Sequence, residues 1–414
     1  MGPNLQVLDA RRALEALRNG VPNRDAVQAL GSNQKAVEQK FTEVLDGLKA
    51  GIARDGILLS GGFGSGKSHL LEHLEHQALL ANCVCSRIVV SKETPLFDLG
   101  KVFKAAADQA VVPGRTGQAI QEIAHMLQPR SDRYAEFYRW ATSKGGGLPD
   151  VFPASLFVHE RLGNDPELVE EMTAFWAGDR IAVSRVKEGL KKLGATKLFD
   201  VRPVKVRDLG APRFAFASQL IRAAGFAGWV LLIDEVELIG RYSRLQRARS
   251  YAEVSRWLGA GEGRPQGVGV VMAITDDFTL AVLQQKSDRD LIGETLQRKG
   301  TAEYQAMVPL AERGMKLIEG HAVPLTTPDS AVLASTHDGL RAIHAKAFDW
   351  MPPELAAGPQ SLQRPMRSYV RRWINEWDLR RLYPEAKVDI VEGDIGVSYE
   401  EDQDLEVSPD ETEG

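Results

Sequence analysis

The chain has 414 residues, 43% of them hydrophobic and 26% charged, with a formal net charge of −5. That length allows one to three folded units around a sizeable core, and the balance excludes a disordered, fibrous or membrane-embedded polymer. No apolar run approaches the roughly 18–20 residues that span a bilayer, the N-terminal residues carry no apolar signal-type core, and Gly2 lacks the Ser or Thr four residues on that myristoylation uses, so a cytoplasmic protein with no membrane partner is expected.

Residues 1–50 read as an N-terminal helical segment. Positions 8–17 are amphipathic, a turn is expected at 20–23, and Asn33 is placed to cap a helix that runs through Phe41 to Leu48 and stops at Gly51. Residues 56–60 then form a short apolar run typical of a buried strand, followed by a glycine-rich turn and an apolar helix from Ser68 to about Leu80. A second strand over 83–91 makes the pair a parallel crossover unit. Cys83 and Cys85 share one face of that strand, and with no further sulfur or zinc-spaced His pair they read as buried thiols in a reducing compartment.

From about 96 to 220 helical periodicity and loop signals at 145–147 and 200–203 suggest a large helical insertion. Strand-like runs return at 229–234, at 268–275 and, more weakly, at 316–324, which completes a five-stranded parallel α/β core over 51–325. Helices around 331–348 and 361–382 form a C-terminal helical subdomain within 326–390. Residues 399–414 carry eight acids and no Lys or Arg, leaving +3 on the rest of the chain, so 391–414 is expected to be an acidic disordered tail. It reads as a solubilising tail or as a nucleic-acid mimic.

Gly61-Gly62-Phe63-Gly64-Ser65-Gly66-Lys67-Ser68 matches the Walker A spacing G-x-x-x-x-G-K-[ST] between an expected strand and an expected helix. Glycines let the backbone curl until its N–H groups face phosphate oxygens, and the helix N-terminus adds attraction. Lys67 is expected to reach the β- and γ-phosphates and Ser68 to ligate Mg²⁺, with the contact run extending to His69. The strand 229–234 ends in Asp234 and Glu235, a Walker B pattern in which Asp234 serves Mg²⁺ and Glu235 polarises water. Glu directly after Asp favours the AAA+ type of ATPase over kinases and GTPases. Thr275, ending the next strand, is the candidate γ-phosphate sensor.

Arginine candidates for the developing charge fall into groups: Arg241, Arg244, Arg247 and Arg249; Arg289 and Arg298; Arg364, Arg367, Arg371 and Arg372. The last group shares a stretch with Tyr369, Trp373 and Trp377, whose i, i+4, i+8 spacing makes either a packing stripe or a nucleotide-sensing or nucleic-acid surface.

The words Gly62 to Glu72, Ser91 to Phe97 and Leu231 to Ser243 resemble the P-loop ATP-binding proteins of bacterial BREX-type phage-defence clusters, the BrxD group. The resemblance runs from about residue 8 to 385 and implies an AAA+-like, ATP- and Mg²⁺-dependent switch or motor. It further implies work beside other defence components, often a helicase, on foreign DNA; a homo-oligomer or a complex with that helicase is expected to supply the missing arginine. It reinforces Lys67, Ser68, Asp234 and Glu235 and does not include the acidic tail. Two other readings stay open: an ATP-locked scaffold with incidental turnover, and a DNA-loading factor, against which a body charge of +3 weighs mildly.

Overall fold

The computed structural model describes residues 5–20, 26–27, 30–115, 119–143, 147–261, 263–355, 365–385 and 399–402. The expected turn residues 21–23, Gly145 and Gly146, Arg364 with the start of the last expected helix, the end of the expected C-terminal subdomain over 386–390, and residues 391–398 and 403–414 of the tail lie outside these. The described elements alternate as the sequence implies. Helices α1 (Leu5–Asn19) and α2 (Lys35–Ala50) precede β1 (Ile57–Ser60), α3 (Lys67–Leu80), β2 (Val84–Val89), α4 (Leu99–Asp108) and β3 (Ala110–Val111). A helical block follows, comprising α5 (Ala119–His125), α6 (Asp132–Thr142), α7 (Val151–Arg161), α8 (Pro166–Trp176), α9 (Val183–Lys192) and α10 (Gly210–Ala223). Then come β4 (Trp229–Asp234), α11 (Arg244–Leu258), β5 (Val268–Ile274), α12 (Asp288–Gln297), α13 (Ala302–Gly320), β6 (Val323–Pro324), α14 (Ser330–Phe348) and α15 (Met366–Leu382).

The strands form one sheet in the order β3-β2-β4-β5-β1-β6. Five run parallel, as expected, but the sheet has a sixth strand: two-residue β3 pairs antiparallel with β2 at the edge. Two residues are too few to show a period. The weak strand expected over 316–324 is also corrected, because α13 continues to Gly320 and only Val323 and Pro324 pair, opposite Leu59 and Ser60. Strands β4 and β5 are buried along their whole length, which fits central parallel strands covered on both faces.

Alternation of side chains splits the core. Leu58, Leu231, Ile233, Val270 and Met272 face the side of α4, α10 and α11, while Leu59, Cys85, Leu232 and Ala273 face α2 and α3 through Phe41 and Leu71. Both cysteines are buried on the second face, and loss of solvent pushes the Cys83 thiol up to about 11 and Cys85 well above its ordinary value. Helix α2 ends as expected at Gly51, whose φ of 71° and N–H to Leu48 O close it. Its start differs, since Gln34 rather than Asn33 is the N-cap residue and makes no side-chain cap bond.

The expected N-terminal segment is divided between two cores. While α2 lies on the sheet, α1 joins α14 and α15 in a separate cluster through Leu14, Leu340, Trp373, Ile374 and Trp377. Trp373 and Trp377 are therefore packing residues, and the Trp377 indole donates to Pro353 O at 3.1 Å. Asp378 ties the cluster together by accepting from His344 Nε2 at 3.1 Å and pairing with Arg18.

Within the helical block, Phe137, Phe152, Phe175, Trp176 and Phe216 form a run of ring contacts. His159 sits against Trp176 at 4.8 Å between ring centroids with no partner for Nε2, and burial pulls its pKa down to about 4. An unfolded chain binds that proton near pH 6.5 and the folded one does not, so stability drops as pH falls from 6.5 to about 4, by on the order of 3 kcal/mol. Thermal melts of His159→Gln are expected to show a shallower decline over that window than the parent; parallel curves would contradict the assignment.

Candidate functional site

The sheet brings the C-terminal ends of β1, β4 and β5 side by side, the position where open parallel sheets bind ligands. The loop Gly61–Ser68 leaves β1 and turns directly into α3. Gly64 and Gly66 take φ of 74° and 103°, and Gly66 occupies the cap of α3 with no side-chain cap bond, so the first amides of the helix receive none of the usual side-chain acceptors from that residue. A Cβ at Gly61 would lie 2.7 Å from Ser65 Oγ, itself buried without a hydrogen-bond partner. The curl is thus tight enough to need glycine.

Lys67 folds back into this curl. It is only 8% exposed, and its ammonium donates to Gly61 O at 2.7 Å and Gly62 O at 3.2 Å. Ser68 Oγ donates to Asp234 Oδ2 at 2.6 Å, which joins the first turn of α3 to the end of β4. Asp234 Oδ1 accepts from the Glu235 amide at 3.0 Å. Glu235 adopts a left-handed backbone (φ 56°) and stays open to solvent on one side; partial loss of solvent on the other, then the Asp234 charge, raise its carboxyl above the usual range while Lys67 opposes them.

A cavity of about 420 Å³ lies between these groups, within the roughly 300–1,000 Å³ of small-molecule sites. Phe63, Gly64, Ser65, Gly66, Lys67, Ser68, His69, Asp234 and Glu235 all line it. Gly61 and Gly62 stand behind it, holding Lys67 through their carbonyls. His69 Nε2 lies 2.9 Å from Gly31 O, and burial lowers its pKa. Thr275 does not line the cavity. It is buried at the end of β5, next to Ile274 whose carbonyl accepts from Gly61 N, with its hydroxyl 2.5 Å from that of Tyr399.

Two residues that pattern reading passed over complete the cavity wall. Glu237 is 7% exposed with Oε2 unpartnered, and burial pushes its carboxyl up to about 7 against the attraction of Lys67. The left-handed turn at Glu235 reverses the chain and swings Glu237 inward, and no glycine marks that turn in the sequence. Gln34 is the second: its side chain donates to Thr326 O at 3.1 Å and accepts from Thr326 N at 2.9 Å, closing the rim between α2 and the segment after β6.

Among the described arginines of these groups, Arg367 is the one that lines the cavity. Its guanidinium lies 5.9 Å from the Phe63 ring and donates to Asn19 O and Gly20 O, and its amide donates to Gly64 O at 3.4 Å. Five of the others are engaged elsewhere: Arg247 with buried Asp288, Arg241 with Asp402, Arg289 with Glu319, Arg298 with Glu294, and Arg249 over Phe97.

Hydroxyl and carboxylate oxygens at Ser68 and Asp234 suit a hard divalent cation. A buried ammonium, an orphaned serine hydroxyl and a helix N-terminus suit a phosphate chain. No helix among the described residues is long and apolar enough to cross a membrane. Neither the curated proteins nor the solved structures yielded a significant match. The family described as BREX system ATP-binding protein BrxC/D matches at residues 6–125 and 213–285, so it covers the loop, Asp234, Glu235, Glu237 and Thr275 and breaks across most of the helical block. The chain belongs to the BREX system ATP-binding proteins BrxC/D.

Proposed function

We propose that the chain binds Mg·ATP in the cavity at the ends of β1 and β4 and hydrolyses it, as an AAA+-like switch or motor in BREX defence. The observation that carries the reading is the bond from Ser68 Oγ to Asp234 Oδ2, beside a lysine ammonium held in a glycine curl. That bond puts two magnesium-type ligands at one point. Loop amides and Lys67 bind the phosphates, and the apolar end of the cavity, with Leu17, Leu30, Val332 and Val370, takes the base. Held by Ser68 and Asp234, Mg²⁺ would supply the positive charge that neutralises and orients the terminal phosphate. Glu235 accepts a proton from the attacking water, Thr275 senses the terminal phosphate, and Arg367 links the phosphate loop to α1 and α15 so that helical parts follow the nucleotide.

Family membership supports work with other defence components, including a helicase and DNA, and an arginine from a second copy or a partner would complete the charge around the transferred group. Calorimetric titration with Mg·ATP is expected to give saturable heat, and phosphate release is expected to exceed the buffer rate and to change with duplex DNA. Absence of heat would end the reading. Saturable heat with no phosphate release, with or without DNA, would favour the ATP-locked scaffold.

A further inference from the structure

Four residues of the acidic stretch, expected from composition to lack structure, have defined places. The Tyr399 ring meets Phe278 edge-on with centroids 6.1 Å apart and rests over Gly240, where a Cβ would come within 2.9 Å of Tyr399 Cδ1. Glu401 accepts from Arg247 at 2.7 Å, which holds its carboxyl below the usual range. Asp402 pairs with Arg241, and its amide donates to Arg241 O at 3.1 Å. Lys286 is close enough to Glu400 and Glu401 to feel both charges. An aromatic slot followed by three cations thus matches Tyr-Glu-Glu-Asp in order.

The hydroxyls at the head of this groove carry a proton constraint. Tyr399 donates to Asp277 Oδ1 at 2.8 Å. Its single proton is then committed, so the 2.5 Å contact with Thr275 has Thr275 as donor. Thr275 also has one proton. While the segment is docked, none remains for a phosphate oxygen.

We propose that the groove formed by 236–247 and 275–288 is a binding site for an acidic, tyrosine-led peptide, that residues 399–402 are its resident occupant, and that this occupant competes with the terminal phosphate of ATP for the Thr275 hydroxyl. The competition rests on the proposed role of Thr275; the peptide site does not. Docking makes the slow state, and terminal phosphate favours release.

The test uses the chain truncated after Ser398 and a labelled peptide of residues 397–406, followed by fluorescence anisotropy. Saturable binding is expected, weakened about fivefold or more by Tyr399→Phe in the peptide, which removes both hydroxyl bonds, and weakened by Arg241→Ala in the chain. Mg²⁺ with a non-hydrolysable ATP analogue is expected to weaken the peptide about fivefold or more, and ADP to leave it unchanged. In the full chain, whose folding does not depend on truncation, Tyr399→Phe is expected to raise ATP turnover by a similar factor, and Thr275→Ala to remove that gain. No saturable peptide binding overturns the groove. Peptide binding indifferent to an analogue that calorimetry shows to be bound overturns the competition. Peptide binding by a chain that takes up no nucleotide overturns the ATP reading and the coupling built on it, and leaves the groove standing.

Discussion

Glu235→Gln is expected to retain Mg·ATP binding and to lose about 100- to 10,000-fold in turnover, the usual worth of a positioned general base. The substitution keeps shape and hydrogen bonding and removes only the capacity to take a proton. Single-turnover phosphate release beside calorimetry separates the two effects. Glu237→Gln is the necessary companion, because Glu237 is the buried carboxyl with an unpartnered oxygen in the same cavity. Glu235 is the exposed one of the two that line the cavity, and with the general base proposed at Glu235 the Glu237 variant is expected to lose about tenfold or less. If Glu237→Gln falls as far as Glu235→Gln or further, the base is Glu237.

Lys67→Ala is expected to weaken Mg·ATP by on the order of a hundredfold, since hydrogen bonds to a charged group contribute about 1.5–3 kcal/mol each. The ammonium also ties the loop to itself through Gly61 O and Gly62 O, so a thermal melt must accompany the titration. A variant that melts like the parent and binds no nucleotide supports a direct phosphate contact. A variant that binds ATP as the parent does removes the lysine, and with it the triphosphate, from the cavity.

Local signals carried much of the architecture. Four of the five parallel strands are legible because each is a short apolar run, and α2 is legible to its last residue because Gly51 supplies the left-handed closure that a helix end wants. Non-local pairing decided the rest. Nothing in Ala110–Val111 announces an edge strand until Cys85 and Ser86 lie opposite. The sequence 316–320 has enough apolar residues for a strand, yet Met315 and Ile318 pack at helical spacing in the core.

In the site, the loop and Asp234 were readable because one backbone geometry demands one spacing of glycine, lysine and serine. Glu237 was not, because its position depends on a left-handed glutamate. Thr275 was found as a strand end, but its link to Tyr399 crosses 124 positions of sequence. Composition also misjudges residues 399–402: acidity argues against a core, and what holds them is the Tyr399 ring on Phe278 together with Arg241 and Arg247 paired to Asp402 and Glu401.

The union of α1 with α14 and α15 has a consequence for biosynthesis. Arg18 and Asp378 are partners separated by 360 positions, and the Asn19 and Gly20 carbonyls hold Arg367 over the loop. At about 5–20 residues per second a ribosome needs roughly 20–70 s to deliver the second half of that pairing after the first. The sheet can assemble during that wait, while the wall of the cavity that Met366, Arg367 and Val370 supply is absent until α15 has been made, so the nucleotide site proposed above is complete only well after the sheet beneath it.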